Sequence, residues 1–197
     1  MLNQILPEHL HTAINPDHGL LEGASAREVR LSDLRGYFTD EQAWETAIAA
    51  GDPVIYTVAG VEPATGDGQL HYGLGKLMPG RIGREYYLTK GHFHTFRAAA
   101  EIYVGLEGEG LMVLEEEGSG ITKTVPLRKN SIVYVPGHTA HRTVNTGDIP
   151  LSYLGIYDAK AGHDYGVIAE RNFLQIVVEE DGRPVLVDRA AYRPFDQ

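Results

Sequence analysis

Turn-forming sequence cuts this chain into short runs from residue 54 onward, and that punctuation limits the possible folds more than any other feature. The interruptions are Gly66-Asp67-Gly68, Pro79-Gly80, Gly108-Glu109-Gly110, Gly118-Ser119-Gly120 and Asn145-Thr146-Gly147-Asp148. Glycine supplies positive φ, proline presets φ, and Asn and Asp hydrogen-bond their own backbone, so each cluster reads as a turn. Between them lie 54–61, 70–78, 85–89, 101–107, 110–115, 132–135, 142–144 and 152–157, many rich in β-branched and aromatic residues. Such runs are too short for helices and suit strands. Repeated short strands joined by glycine-rich turns predict an all-β sandwich or barrel. Segments 172–178 and 184–187, joined through Asp181-Gly182, read as a closing hairpin.

One helix is signalled, near 40–50. Thr39 is the expected N-cap, with Gln42 as its capping-box partner. Ala43, Trp44, Ala47 and Ile48 form an apolar stripe, with Trp44 as a packing anchor. Gly51 suits the position after the helix, and Pro53 prevents its continuation. Residues 1–30 read as an arm or edge segment, and His9, His11 and His18 within it as solvated or structural. The expected organisation is a single domain over 1–197, with arm and helix over 1–53 and the barrel over 54–190.

Two motifs carry chemistry. In Gly91-His92-Phe93-His94 the histidines are two apart, so on a strand both point to one face and Phe93 to the other. Glu101 opens the next run after a turn over 95–100, and Pro136-Gly137-His138-Thr139-Ala140-His141 supplies a third imidazole. Three nitrogens and a carboxylate suit a divalent transition metal. Without thiolate ligands the expected ion is iron(II) or manganese(II), with zinc or nickel able to substitute. His71 is expected to be an ordinary face residue and His138 to shape its loop. Tyr134 and Tyr153 read as core or interface, and Glu115-Glu116-Glu117 as a solvated hairpin tip.

Composition narrows the partners. The net charge of −10 argues against a general basic surface for nucleic acid or anionic membranes, while leaving room for a local cationic pocket. There is no cysteine, hence no disulfide framework. Residues 1–12 lack a basic segment followed by an apolar one, and no apolar run approaches membrane-spanning length. A cytoplasmic location is expected.

The motifs resemble those of cupins, small β-barrels with an interior metal. His92, His94, Glu101 and Gly108 follow the first cupin motif, with a longer gap before the glutamate. Pro136, His141 and Asn145 follow the second, with Asn130 and His138 where glycines are expected. Asn and His are among the residues that more often accept positive φ. A narrower resemblance is to the cupin-type glucose-6-phosphate isomerases, metal-dependent enzymes known mainly from archaea and some bacteria. It rests on Thr89-Lys90-Gly91-His92-Phe93-His94, Glu101-Ile102-Tyr103-Val104, Ala140-His141-Arg142-Thr143-Val144-Asn145 and Ala161-Gly162-His163-Asp164-Tyr165-Gly166. Leu31-Ser32-Asp33, Gly36-Tyr37-Phe38, Asp52-Pro53-Val54 and Ile168-Ala169-Glu170 extend it over roughly residues 20–190.

The resemblance implies a jelly-roll-like antiparallel cupin barrel and a homodimer. It implies His92, His94, Glu101 and His141 as metal ligands. Thr89, Gly91, Tyr103, Tyr157, His163 and Tyr165 would contact a sugar phosphate, with Glu101, His163 and Tyr103 acting in catalysis. The reaction would interconvert glucose 6-phosphate and fructose 6-phosphate, with Glu101 as base for an enediol; a hydride shift is the alternative. Family members carry a phosphate-contacting threonine where this chain has Gly75. Lys76 alternates to the opposite face, so it is no simple replacement, and both a solvated lysine and an anion contact remain open. Rival readings are a cupin dioxygenase, which needs no phosphate end to its pocket, and a non-catalytic sugar-binding cupin, which needs no complete ligand set.

Overall fold

A computed structural model describes residues 5–194; the parts of the expected arm and domain before and beyond them lie outside the described residues. The elements in chain order are α1 Pro7–Leu10, β1 Ile14–Asn15, β2 Leu20–Leu21, β3 Ala26–Arg30, a 3-10 turn over Leu31–Leu34, α2 Glu41–Gly51, β4 Val54–Val61 and β5 Leu70–Leu77. They continue with β6 Arg81–Ile82, β7 Glu85–Tyr86, β8 Glu101–Glu107, β9 Glu109–Glu116, β10 Thr122–Arg128, β11 Ile132–Val135 and β12 Thr139–Asn145. The last are β13 Leu151–Asp158, α3 Gly166–Arg171, β14 Gln175–Glu180 and β15 Arg183–Asp188.

A six-stranded sheet, β11-β8-β13-β5-β4-β3, faces a three-stranded one, β10-β9-β12. All their pairings are antiparallel. Tyr103, Val133, Val135, Leu151 and Tyr153 of the larger sheet pack on Met112 and Leu127 of the smaller, which closes one end of the sandwich. A four-stranded sheet, β15-β14-β7-β6, lies beside them, and its Ile82, Tyr86 and Val177 join Leu77, Val113, Val144 and Phe173 in a second cluster. Removing these side chains from water is the main term favouring the fold, at about 1.5–3 kcal/mol for each large one. The architecture is the antiparallel all-β barrel that the turn-punctuated strands and the motifs led us to expect.

Several local expectations need correction. The cap of α2 is Asp40, whose carboxylate accepts from the N–H of Ala43 at 2.9 Å. Thr39 instead spends its backbone N–H on Glu85 at 2.5 Å. Gly51 is the last helical residue and carries the positive φ, 140°, that ends the helix. Two further helices, α1 and α3, were not signalled. The large sheet begins at residue 26, because β3 lines the edge of β4, ahead of residue 54 where the barrel was expected to start. Glu115 is fully buried, held by Arg171 and by the N–H of Leu174 at 2.8 Å, so only Glu116 and Glu117 behave as a hairpin tip. Asn130 and His138 do take positive φ, 65° and 58°, in the places where glycine was expected. The closing hairpin turns through Asp181 and Gly182, both at positive φ, as its two-residue loop requires.

Candidate active site

The site is built from cross-strand rows of the six-stranded sheet. Residues paired directly across antiparallel strands share a face. One row runs His71–Tyr157–Glu101–Val135. Two residues along, the row Gly60–Gly73–Gly155–Tyr103 offers three consecutive positions without side chains. Two residues farther, the row is Arg27–Val58–Gly75–Tyr153. The last two rows, with Glu101 and Tyr157 of the first, line a cavity of about 270 Å³. The glycine row is its floor, and glycine inside a strand marks a place where another group comes close to the backbone.

The opposite wall comes from 89–94, which follows β12 by isolated bridges such as His92 with His141, without becoming a regular strand. Thr89 Oγ1 accepts from the N–H of Thr143 at 3.1 Å. Gly91 has φ 72°, and a Cβ there would come within 2.7 Å of Phe173 and 2.9 Å of the His141 carbonyl. Arg142 grips the Lys90 carbonyl with two nitrogens, at 2.7 and 3.3 Å. Phe93 turns away into the core under Arg97, whose guanidinium also binds Asp164 and Glu117. His92 and His94 therefore point together, as their spacing predicted, although their backbone is an irregular extended segment.

His92, His94, Glu101 and His141 each present one donor atom, and these atoms lie within 4.8 Å of one another. Glu101 Oε2 is 3.2 Å from His94 Nε2 and 3.1 Å from His141 Nε2. His94 Nδ1 faces the Ala99 carbonyl at 3.0 Å, which leaves Nε2 free to ligate. His92 Nε2 is buried with no hydrogen-bond partner, and His141 Nε2, also buried, has none but the Glu101 oxygen beside it. Orphaned buried nitrogens beside a carboxylate are costly unless an ion satisfies them, so this donor set fits a divalent metal. Burial raises the Glu101 carboxyl, but hydrogen bonds from His141 and His94 outweigh it and hold it at about 2. Burial, with His141 adjoining, pushes His92 well below its ordinary range.

Around this centre stand the other expected residues. His163 lies 4.5 Å from the His92 ring, with Tyr165 stacked on it at 6.0 Å and Tyr157 edge-on at 5.8 Å. Tyr103 is 5.8 Å from His141. Burial lowers His163; with Glu101 nearby it pushes Tyr157 up to about 12 and raises Tyr103 well above its ordinary range. Thr89, Gly91, Tyr103, Tyr157, His163 and Tyr165 all line the cavity. Among the ligand candidates, His94 sits behind it.

The structure adds residues that the sequence reading missed. Arg27, Tyr56 and the glycine floor line the cavity, and so does Tyr153, which was assigned to core or interface. The glycines inside strands were the available signal; Arg27 gave none, being one of several arginines in an arm. Lys76 does not reach the cavity, because its ammonium binds the Asp17 carbonyl on the outer face. His71 is buried on its strand, bonded to the Ala64 carbonyl at 2.9 Å. Tyr134 is exposed on the outside of the sheet.

An oxalate oxidase structure superposes on 60% of this chain and 58% of its own with TM-score 0.49 and 15% identity. The glucose-6-phosphate isomerase of Pyrococcus horikoshii is 44% identical over 186 residues, 94% of this chain and 98% of that one. That of Thermococcus litoralis is 45% identical over 175 residues, 89% of this chain and 92% of that one. The family model described as glucose-6-phosphate isomerase (GPI) matches residues 28–194. An unbroken match of that extent, together with full-length relatives above 40% identity, means that this chain belongs to the glucose-6-phosphate isomerase family.

Proposed function

We propose that this chain is a metal-dependent aldose–ketose isomerase (EC 5.3.1.9) that interconverts D-glucose 6-phosphate and D-fructose 6-phosphate, a step of glycolysis and gluconeogenesis. The observation that carries the reading is a complete three-histidine, one-glutamate donor set at one end of a cavity with a glycine floor, in a chain of this family. His92, His94, Glu101 and His141 would hold iron(II) or manganese(II), which supplies electrostatic stabilisation of charge on the substrate's C1 or C2 oxygen.

The two oxygens of Glu101 divide the work. Oε2 faces His94 and His141. Oε1 faces the floor, where a Cβ on Gly155 would come within 2.7 Å of it. A substrate carbon lying over Gly155 therefore meets a carboxylate oxygen that the histidines do not engage. Glu101 Oε1 takes the proton from C2 of the aldose or C1 of the ketose and returns it to the neighbouring carbon. His163, kept neutral by burial, exchanges a proton with the substrate hydroxyl oxygens. Tyr103, kept protonated by burial, donates a hydrogen bond to the oxygen on C1 or C2. Thr89, Gly91, Tyr157 and Tyr165 complete the substrate contacts.

The chain acts as one domain and as a cytoplasmic homodimer in this reading. Support for the dimer is Ile102, Ile132 and Tyr134, neighbours on β8 and β11 that expose 40%, 72% and 61% of their surface. No helix among the described residues is long and apolar enough to cross a membrane. The test is a fructose 6-phosphate isomerisation assay on purified protein, before and after chelation, with metal analysis of the same sample. Activity lost on chelation and restored by iron(II) or manganese(II) is expected. Oxygen consumption without isomerisation would select a dioxygenase instead.

A further inference from the structure

Resting on the isomerase reading, we propose that Arg27 and the hydroxyl of Tyr153 bind the substrate's phosphate, at the cavity end opposite the metal ligands. Both lie in the row Arg27–Val58–Gly75–Tyr153 and both line the cavity. The row exists as a site because Gly75 has no side chain. A Cβ on Gly75 would lie 2.4 Å from Cζ and 2.7 Å from the hydroxyl oxygen of Tyr153, so the ring occupies the space that any other residue at 75 would claim. Beside Tyr153 the pairing of β13 with β8 shifts register. The extra residue, Leu106, is on β8, while β13 keeps its register with β5, and the Tyr153 ring leans over Gly75 toward the strands that carry Val58 and Arg27.

Charge and length agree with this assignment. Among the described residues Arg27 has no carboxylate within ion-pair distance, whereas Arg30 on the same strand pairs with Glu28 at 2.8 Å. A guanidinium lining this cavity in a chain of net charge −10 is a directional place for an anion with several acceptor oxygens. Lys76, next to Gly75, is committed to the opposite face, and Lys90, which also lines the cavity, has its ammonium 6.0 Å from the Tyr37 ring. Tyr157 and Tyr153 are four residues apart on β13, or about 13 Å at strand rise. An open-chain hexose phosphate spans about 9 Å from C1 to phosphorus at roughly 1.25 Å advance per bond. With side chains reaching inward from both rows, C1 and C2 rest over Gly155 while the phosphate meets Arg27 and Tyr153.

The experiment uses the metal-loaded protein and compares fructose 6-phosphate with unphosphorylated fructose. Arg27→Ala is expected to raise KM for fructose 6-phosphate by roughly tenfold or more with kcat little changed, the pattern of lost uniform binding. The preference in kcat/KM for the phosphorylated sugar should collapse, and Arg27→Lys should restore part of it. Tyr153→Phe should raise the same KM by a smaller factor, because it removes a hydroxyl and keeps the ring. Inorganic phosphate binding, measured by calorimetry, should weaken in parallel and gives a readout apart from turnover. Retention of both the preference and phosphate affinity in Arg27→Ala and Tyr153→Phe, with active wild type, would overturn the assignment. Inactive wild type on fructose 6-phosphate would overturn the isomerase reading itself, and with it this one.

Discussion

Gly75→Ala tests whether Tyr153 fills the space over Gly75. The added Cβ would sit 2.4, 2.5 and 2.7 Å from Cζ, Cε2 and Oη of Tyr153. Comfortable carbon contacts are about 3.5–4.0 Å, so the overlap exceeds an ångström. Tyr153 is 6% exposed and packed with Met112, Leu127 and Leu151, so its ring cannot withdraw freely. Overpacking of this kind costs about 1–3 kcal/mol. At about 2–4 °C per kcal/mol for a chain of this size, Tm should fall by roughly 2–12 °C. Gly73→Ala is the internal control, because its Cβ would meet nothing nearer than the Ala59 carbonyl at 3.4 Å. Its cost should stay within about 0.5 kcal/mol. In a Tyr153→Leu background the Gly75→Ala penalty should vanish or reverse, since alanine also lowers the entropy of the unfolded chain by about 0.4–1 kcal/mol. Thermal and denaturant unfolding of the four proteins forms a double-mutant cycle with an expected coupling of about 1–3 kcal/mol. Equal Gly75→Ala penalties in both backgrounds would refute the packing argument.

Two more predictions concern the metal end. Glu101→Gln keeps the shape and an oxygen donor but removes the basic carboxylate; with metal still bound, kcat should drop by roughly two to four orders of magnitude. Near-wild-type turnover by a metal-loaded Glu101→Gln sample would leave residue 101 as a ligand only. In the metal-free chain Glu101 sits at about 2 against an ordinary 4.5, so its stabilisation is present above pH 4.5 and lost as pH falls toward 2. For His94 burial favours the neutral ring, but the hydrogen bond to Glu101 outweighs it and its pKa is raised, so that stabilisation is present below 6.5 and lost as pH rises through the folded value. A metal must displace that proton, so metal affinity should strengthen with rising pH across the imidazole range and binding should release protons. Calorimetry in buffers of different ionisation enthalpy measures the release, and none would contradict His94 as a ligand.

What the sequence alone determined was local. Short β-branched runs between glycine turns admit few folds besides an antiparallel barrel, because no other architecture buries so many brief strands. The two-residue spacing of His92 and His94 is a property of extended backbone, so it survived the absence of a regular strand there. Asn130 and His138 could stand for glycine because positive φ is a single-residue preference. Four of the misses were decisions of neighbours distant in the chain. Asp40 rather than Thr39 caps α2 because Glu85, far along the chain, claims the Thr39 backbone. Glu115 is buried because Arg171 and the Leu174 N–H arrive from the end of the barrel to satisfy it. Arg27, in an arm with no motif, faces the cavity only because β3 pairs with β4 in one register, and a shift of one residue would turn it outward. Tyr153 belongs to the cavity because Gly75, on the adjoining strand, leaves its ring a place to lie. Strand alternation is written in the chain, but which strands become neighbours, and so which side chains meet, is a matter of long-range pairing that only the folded barrel decides.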